Sequence, residues 1–400
     1  MELELIRTLI LPNTTRIVLV SADGLGGLPD PATGRSELET ARLPHLDELA
    51  ARSACGLIRH VGPGITPGSG PGHLGLFGYD PLRYQVGRGV LEALGIDFPL
   101  QAGDVAARGN FCTVDGAGRI TDRRAGRIAT ELCATLTRRL RAIRLPGVET
   151  FVEPVKEHRF VLVLRGSGLS GRLTETDPQL LGAPPLPAEP LVPEAERTAG
   201  LANRFVEEAR ALLADAAPAN MLLLRGFDQL PTLPAFPEAF GLRAAAIAAY
   251  PMYRGLARLV GMEVLKTGAA FAEEVQTLAA HREGYDFFFL HYKETDKAGE
   301  DGDFAGKVRA LEALDAQIPA ILATRPDVLA VTGDHASPAI LKGHSWHPVP
   351  LLIHGPYAPP DGVRGFTERA CAGGSLGVLP SHHLMPLLLA HALRLAKFGA

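Results

Sequence analysis

The stretch VTGDHASPAILKGHSWHPVPLLIHG, residues 331–355, decides how the rest of the chain is read. It opens on the last residue of an aliphatic run, DVLAV (327–331), reaches Asp334 and His335 at once, and passes His344 and His347 before the next run, VPLLI (349–353). Short aliphatic runs without polar alternation fit strands buried on both faces, as in a parallel sheet covered by helices. In open α/β sheets, ligands gather beyond the carboxyl ends of the strands, which is where Asp334 and His335 fall.

The same arrangement recurs along the chain. RIVLV (16–20) leads into Asp23 and Gly24, and YDFFFL (285–290) leads into HYKETD, with Asp296 and then Glu300. Helical spacing of leucine and alanine covers 307–324 and 383–397, so strands and helices alternate and the fold class expected is α/β. An aspartate after one strand is ordinarily a turn former or a helix cap, and a lone histidine is ordinarily structural. Several such residues on one rim would be a desolvation liability unless they bind cations. Asp23, Asp296, Asp334, Glu300, His335 and His344 together offer oxygen and nitrogen donors for two divalent ions, with no thiol among them.

The middle of the chain has strands of its own, FVLVLRG (160–166) and MLLLRG (221–226), with a proline-rich connection (177–196) and a helix expected over 194–214. It reads as an inserted α/β or α+β domain at 101–265, with 1–100 and 266–400 folding together as the metal-binding core.

The 400 residues are 46% hydrophobic and 21% charged, and mean hydropathy is +0.10. That composition suits a globular enzyme and not a disordered chain. Net charge of −4 and a pI near 6.4 argue against nucleic acid as a partner. Cys55, Cys112, Cys133 and Cys371 are widely spaced and read as reduced thiols. The first twenty residues lack the basic region and cleavage site of a signal peptide, and no apolar run is long enough to span a bilayer, so a cytoplasmic location is expected.

A nucleophile is offered by GPGITPGSGPGHLGLFGYDP (62–81). Gly68 and Gly70 let the backbone turn closely around Ser69, and HLGLFG suggests a helix whose N-terminus favours phosphate. Beside divalent cations a serine hydroxyl can attack phosphorus. The glycines of ADGLGGLPD (22–30) do not make a dinucleotide turn, because Pro29 stands where the last glycine is required and Asp23 would face the pyrophosphate.

The ordered set of strand-Asp-Gly, GSGPGH, D-x-x-x-E, GDH and HSWHPVP resembles the cofactor-independent phosphoglycerate mutases of the alkaline phosphatase superfamily. ITPGS, GYDP and DRRAGRI (122–128) point to the archaeal-type branch. The resemblance implies a phosphoserine mechanism that interconverts 3- and 2-phosphoglycerate on a two-metal core, under an inserted domain that closes over the substrate. It implies one ion on Asp23, Ser69, Asp334 and His335, and another on Asp296, Glu300 and His344. Arg123, Arg127 and Arg165 would grip the substrate's carboxylate or phosphate. Two positions depart from the family pattern. Glu300 stands where a histidine is usual, and the added hard anionic ligand is expected to favour manganese or magnesium over zinc or cobalt. Gly70-Pro71 replaces Asp-Thr after the serine. A metal-dependent phosphatase, a phosphotransferase on another small acceptor and a non-enzymatic metal-binding paralogue would share the same core.

Overall fold

The computed structural model describes residues 3–399. In chain order the strands are β1 (Ile17–Ala22), β2 (Ala54–Arg59), β3 (Val105–Val114), β4 (Ile120–Asp122), β5 (Glu149–Lys156), β6 (Arg159–Arg165), β7 (Met221–Gln229), β8 (Ala244–Ile247), β9 (Glu263–Val264), β10 (Phe287–Tyr292), β11 (Val328–Thr332), β12 (Val349–His354) and β13 (Gly377–Pro380). Eight of them form one sheet in the order β13-β2-β12-β11-β1-β10-β8-β9. β12 alone runs against its neighbours; the other pairings in this sheet are parallel.

That reversal has a consequence for function. Ser21 lies level with His291 and Thr332, so the chain leaves β1, β10 and β11 at one rim. Because β12 is antiparallel to β11, the residues that precede it reach the same rim, and His344 is among them. β2 pairs antiparallel with β12 and so points its carboxyl end the same way, delivering the loop to Ser69. VPLLI is therefore a buried strand, but not a parallel one.

Every residue of β1 and β11 is buried, as is every residue of β10. One face of the sheet presents Val18, Val20, Phe288, Leu290 and Val331 to a hydrophobic core shared with the helices Pro44–Ala50, Phe271–His281 and Phe304–Asp315. The alternate residues turn the other way, where Phe289 meets Phe77 edge-on with ring centroids 4.9 Å apart and Phe287 meets Phe236 at the same separation. The periodicity of two along each strand produces this division.

Compact packing divides the chain at 85/86 and 232/233, with residues 86–232 as a separate unit. The boundaries expected near 100 and 265 are corrected by two elements. The helix Arg88–Gly95 belongs to the insert, where Gly89 approaches β3 so closely that a Cβ would fall 2.3 Å from the Ala106 carbonyl oxygen. Residues 233–265 belong to the core, because β8 pairs in parallel with β10. AAAI has the composition of a helix, and burial between neighbours overrides that propensity.

The insert is an antiparallel sheet in which β3 pairs with β4, β6 and β7, and β6 with β5. The helices Thr130–Leu140 and Glu196–Leu213 pack on one face, against Phe111, Phe160 and Leu222. It is thus an α+β unit. The continuous helix expected over 307–324 is two, Phe304–Asp315 and Ile318–Ala323, because Pro319 can only stand in the first turn of a new helix. The last helix stops at His391, short of 397.

One buried acid in the core titrates far from its usual range. Glu274 accepts hydrogen bonds from the backbone N–H of Ala249 (3.0 Å) and His291 (3.3 Å), yet burial pushes its carboxyl up to about 8 from 4.5. A raised folded value means the native state holds a proton that the unfolded chain has lost. The stabilisation is complete below pH 4.5, fades as pH rises, and is gone above about 8. Glu274→Gln should fold and flatten the stability profile across that interval, as measured by urea melts at several pH values.

A candidate metal centre beside Ser69

Asp23 follows β1 directly and is fully buried. Its Oδ2 accepts hydrogen bonds from Lys293 Nζ (2.9 Å), from His291 Nε2 (3.1 Å) and from the Tyr253 hydroxyl. Its other oxygen, Oδ1, accepts none, although His335 Nε2 lies 3.2 Å away. Asp334 repeats the pattern: Oδ1 takes the Gly24 N–H at 3.2 Å, while Oδ2 accepts no hydrogen bond at 3.2 Å from the same His335 nitrogen. Ser69 Oγ lies 3.3 Å from that nitrogen as well. Buried carboxylate oxygens that face a ring nitrogen without bonding it are arranged as ligands around a cation. The donor set fits a divalent metal ion.

A second group lies alongside. Asp296 Oδ1 is 3.5 Å from His344 Nε2, and the His335 and His344 rings stack with centroids 3.6 Å apart. His344 Nδ1 donates to the Pro67 carbonyl at 3.0 Å, which leaves Nε2 as the free ligand atom. Asp23, Asp334 and His335 form one set that could hold an ion, and Asp296, His335 and His344 form another. Glu300 stands at the margin, with its Oε1 3.7 Å from His344 Nε2 and its side chain half exposed. The seven residues read as ligands thus meet at one rim, with Glu300 the loosest.

Charge explains the contacts. Burial would raise the Asp23 carboxyl, but the Lys293 charge, the hydrogen bond from His291 and the nearby His335 ring hold it well below the usual range. Burial would lower Lys293, but Asp23, Tyr253 and Asp296 raise it well above an ordinary lysine. Burial would likewise lower His335, and Asp334 and Asp23 instead push it up to about 10. The cluster therefore demands positive charge, as a proton on His335 or as a metal ion that displaces it.

Lys293, Tyr253 and His291 escaped the sequence reading, whereas His73 was read only as part of the GSGPGH motif. Lys293 Nζ spans Asp23 Oδ2 and Asp296 Oδ2, at 2.9 and 2.6 Å. Tyr253 stacks on His291 at 3.5 Å. His73 places Nδ1 3.2 Å from Asp334 Oδ2 and 2.9 Å from the Ser69 carbonyl oxygen. The i, i+3 spacing of Lys293 and Asp296 was the available signal; nothing in the sequence marked Tyr253. His347 lies apart from both ligand sets, stacked on Trp346 with its Nδ1 3.1 Å from Ser345 Oγ.

In the insert, Arg123 clasps Asp177 with two hydrogen bonds (3.0 and 2.6 Å), and Arg165 clasps Asp104 (2.9 and 2.7 Å) while lying over the Phe151 ring. Arg127 belongs to a different group. Burial and then the charges of Arg159, Arg108, Arg124 and Arg127 depress the His158 imidazole to about 3. That convergence of guanidinium groups was missed because Arg108 and Arg159 sit inside strands.

A sheet that collects buried carboxylates, imidazoles and a serine at its strand ends, with a second domain inserted in the chain, defines an α/β protein with a candidate two-ion centre at one rim of its larger sheet. The sequence model of the 2,3-bisphosphoglycerate-independent phosphoglycerate mutases matches residues 50–220. A Thermus thermophilus protein named "Probable 2,3-bisphosphoglycerate-independent phosphoglycerate mutase" is 52% identical, with 96% of each chain covered; an Aquifex aeolicus protein of the same name is 48% identical over the full length of both. Among solved structures, one from Pyrococcus horikoshii is similar with a TM-score of 0.84 at 28% identity, covering 97% of this chain and 100% of that one. The cofactor-independent phosphoglycerate mutase of Thermoplasma acidophilum has a TM-score of 0.69 at 30% identity, with 94% and 100% covered. The chain belongs to the 2,3-bisphosphoglycerate-independent phosphoglycerate mutase family.

The approach of the serine helix to the metal loop tolerates no added atom. A Cβ on Gly72 would fall 2.2 Å from the Asp334 carbonyl oxygen. Gly72→Ala should cost about 1–3 kcal/mol through overpacking and reduce bound metal, as read by thermal melts and by elemental analysis of the purified protein.

Proposed function

We propose that the protein interconverts 3-phosphoglycerate and 2-phosphoglycerate through a phosphoserine at Ser69, without free 2,3-bisphosphoglycerate, in cytoplasmic glycolysis and gluconeogenesis. The observation that carries this reading is the position of Ser69 Oγ, 3.3 Å from His335 Nε2, on the first residue of the helix Ser69–Leu76 and beside both ligand sets. Among the described residues no helix is long and apolar enough to cross a membrane.

Asp23, Ser69, Asp334 and His335 would hold one divalent ion, and Asp296, Glu300 and His344 the other. When bound, such ions supply the charge that favours the serine alkoxide and neutralises phosphoryl oxygens. Ser69 Oγ loses its proton and attacks phosphorus; the Oγ–P bond forms as the bond from phosphorus to the glycerate 3-oxygen breaks, and that oxygen takes up a proton in place of the one Ser69 lost. The glycerate stays bound and reorients. Its 2-hydroxyl then loses its proton and attacks the same phosphorus, the Oγ–P bond breaks, and Ser69 Oγ regains its proton. The N-terminal N–H groups of the serine helix favour the anion at this position.

The guanidinium cluster of the insert that includes Arg127 is suited to hold the substrate's carboxylate during reorientation. Arg123 and Arg165 would have to exchange Asp177 and Asp104 for the substrate's carboxylate or phosphate in order to grip it. Water must be excluded during the phosphoenzyme stage, or the serine ester would hydrolyse.

With 3-phosphoglycerate, manganese and no added bisphosphoglycerate, the purified protein should form 2-phosphoglycerate without releasing phosphate, and a chelator should abolish the reaction. Release of inorganic phosphate would show a phosphatase instead. Ser69→Ala should lose turnover by on the order of 10⁴-fold or more while retaining most of its metal. Glu300→His should shift the ranking of activating metals from manganese and magnesium toward zinc and cobalt; an unchanged ranking would remove Glu300 from the ligand set.

A further inference from the structure

Ser337 is two residues beyond His335, fully buried, and makes no contact that sequence alone would suggest. Its hydroxyl donates to Asp296 Oδ1, and His335 Nδ1 lies 3.1 Å from that hydroxyl's oxygen, Ser337 Oγ. A serine hydroxyl has one proton to give and lone pairs to accept with. With that proton committed to an acceptor-only carboxylate, Oγ can meet Nδ1 only as an acceptor. His335 must then carry its neutral-state proton on Nδ1, leaving the Nε2 lone pair directed toward Asp23 Oδ1, Asp334 Oδ2 and Ser69 Oγ.

We infer that Ser337 is the positioning residue that joins the two halves of the metal centre, fixing the tautomer and ring orientation of His335 in one ligand set and the carboxylate rotation of Asp296 in the other. This rests on the two-metal reading above. The backbone around Ser337 is built for the task. Its N–H donates to the Gly26 carbonyl at 3.0 Å, and its carbonyl accepts from the buried Lys307 ammonium at 2.8 Å. Gly24 and Gly299 carry no Cβ where one would lie 2.6 Å from Ser337 Oγ and 2.1 Å from its carbonyl oxygen. The residue is thus held from four directions, with its hydroxyl aimed between the two ligands.

The test is calorimetric titration of manganese alone into the full-length wild-type protein and into Ser337→Ala, Ser337→Thr and Ser36→Ala. Ser36 donates to Glu368 at 2.7 Å and serves as a buried hydroxyl outside the ligand sets. Ser337→Ala should bind manganese about 10–100-fold more weakly, Ser337→Thr should recover most of the loss because it keeps the hydroxyl, and Ser36→Ala should bind as the wild type does. Melts without manganese check that each variant folds. If Ser337→Ala binds manganese with wild-type affinity, or Ser337→Thr is as impaired as Ser337→Ala, the positioning role is wrong while the metal site stands. A wild-type protein that takes up no manganese would overturn the two-metal reading itself, and this inference with it.

Discussion

The structure depends on burying three aspartates together. Asp23, Asp296 and Asp334 are almost wholly withdrawn from solvent, and like charges about 4 Å apart repel by about 4 kcal/mol at an effective dielectric near 20. Nothing in an aliphatic sheet offsets that. The surrounding residues can be understood as responses to it: Lys293 placed between two of the carboxylates, Tyr253 and His291 directed at Asp23, and His335 set against all three. Even so, Asp23 Oδ1 and Asp334 Oδ2 are left without a hydrogen bond. A fold that tolerates such repulsion is one whose free energy is recovered when cations bind.

Convergence of the ligands is enforced by backbone pairing as well as by strand ends. Leu25 and Gly26 bridge to Ala336, and Ala336 bridges to Ser345, so the loops carrying Asp23, His335 and His344 form a narrow ribbon of their own above the main sheet. Lys307 closes it from below by donating to both Gly26 and Ser337 carbonyls at 2.8 Å. Burial lowers the Lys307 ammonium, and Glu37 and Glu368 oppose that shift from behind. Glu37 also takes the Ala339 N–H at 2.7 Å. Carbonyls that would otherwise be stranded at the rim are satisfied, and the ligand spacing is fixed by hydrogen bonds instead of by side-chain packing.

Much of this was legible in the sequence, and the reasons for the exceptions are physical. The four long aliphatic runs marked β1, β10, β11 and β12 because burial on both faces leaves no polar interruption. The polar residues at their ends marked the rim. The direction of β12 was not legible, since a buried strand has the same composition whichever way it runs. β2 was hidden by Gly56, where a Cβ would strike the Gly377 carbonyl oxygen at 2.7 Å, and β8 by its alanines. The helix expected over 307–324 overlooked both Pro319 and the burial of Lys307, whose charged side chain reads as a solvent-facing residue. Arg123 and Arg165 look like anion grips in a motif, but a guanidinium is claimed by the nearest carboxylate, and Asp177 and Asp104 are distant in sequence. Arg108 and Arg159 were unremarkable as strand residues, yet they approach His158.

Glu300 carries the charge argument one step further. On the proposed assignment, one ion has Asp23, Asp334 and His335 beside Ser69, and the other has Asp296, Glu300 and His344. Each then faces two carboxylates and one imidazole, where a histidine at 300 would give the second ion one carboxylate and two imidazoles. Four carboxylates would balance two divalent ions, and Lys293, bonded to Asp23 and Asp296, would leave an excess of positive charge at the centre for an incoming phosphoryl group. Oxygen-rich, charge-matched sites favour hard ions. On the same assignment the half-exposed Glu300 side chain would be the ligand least held by its surroundings.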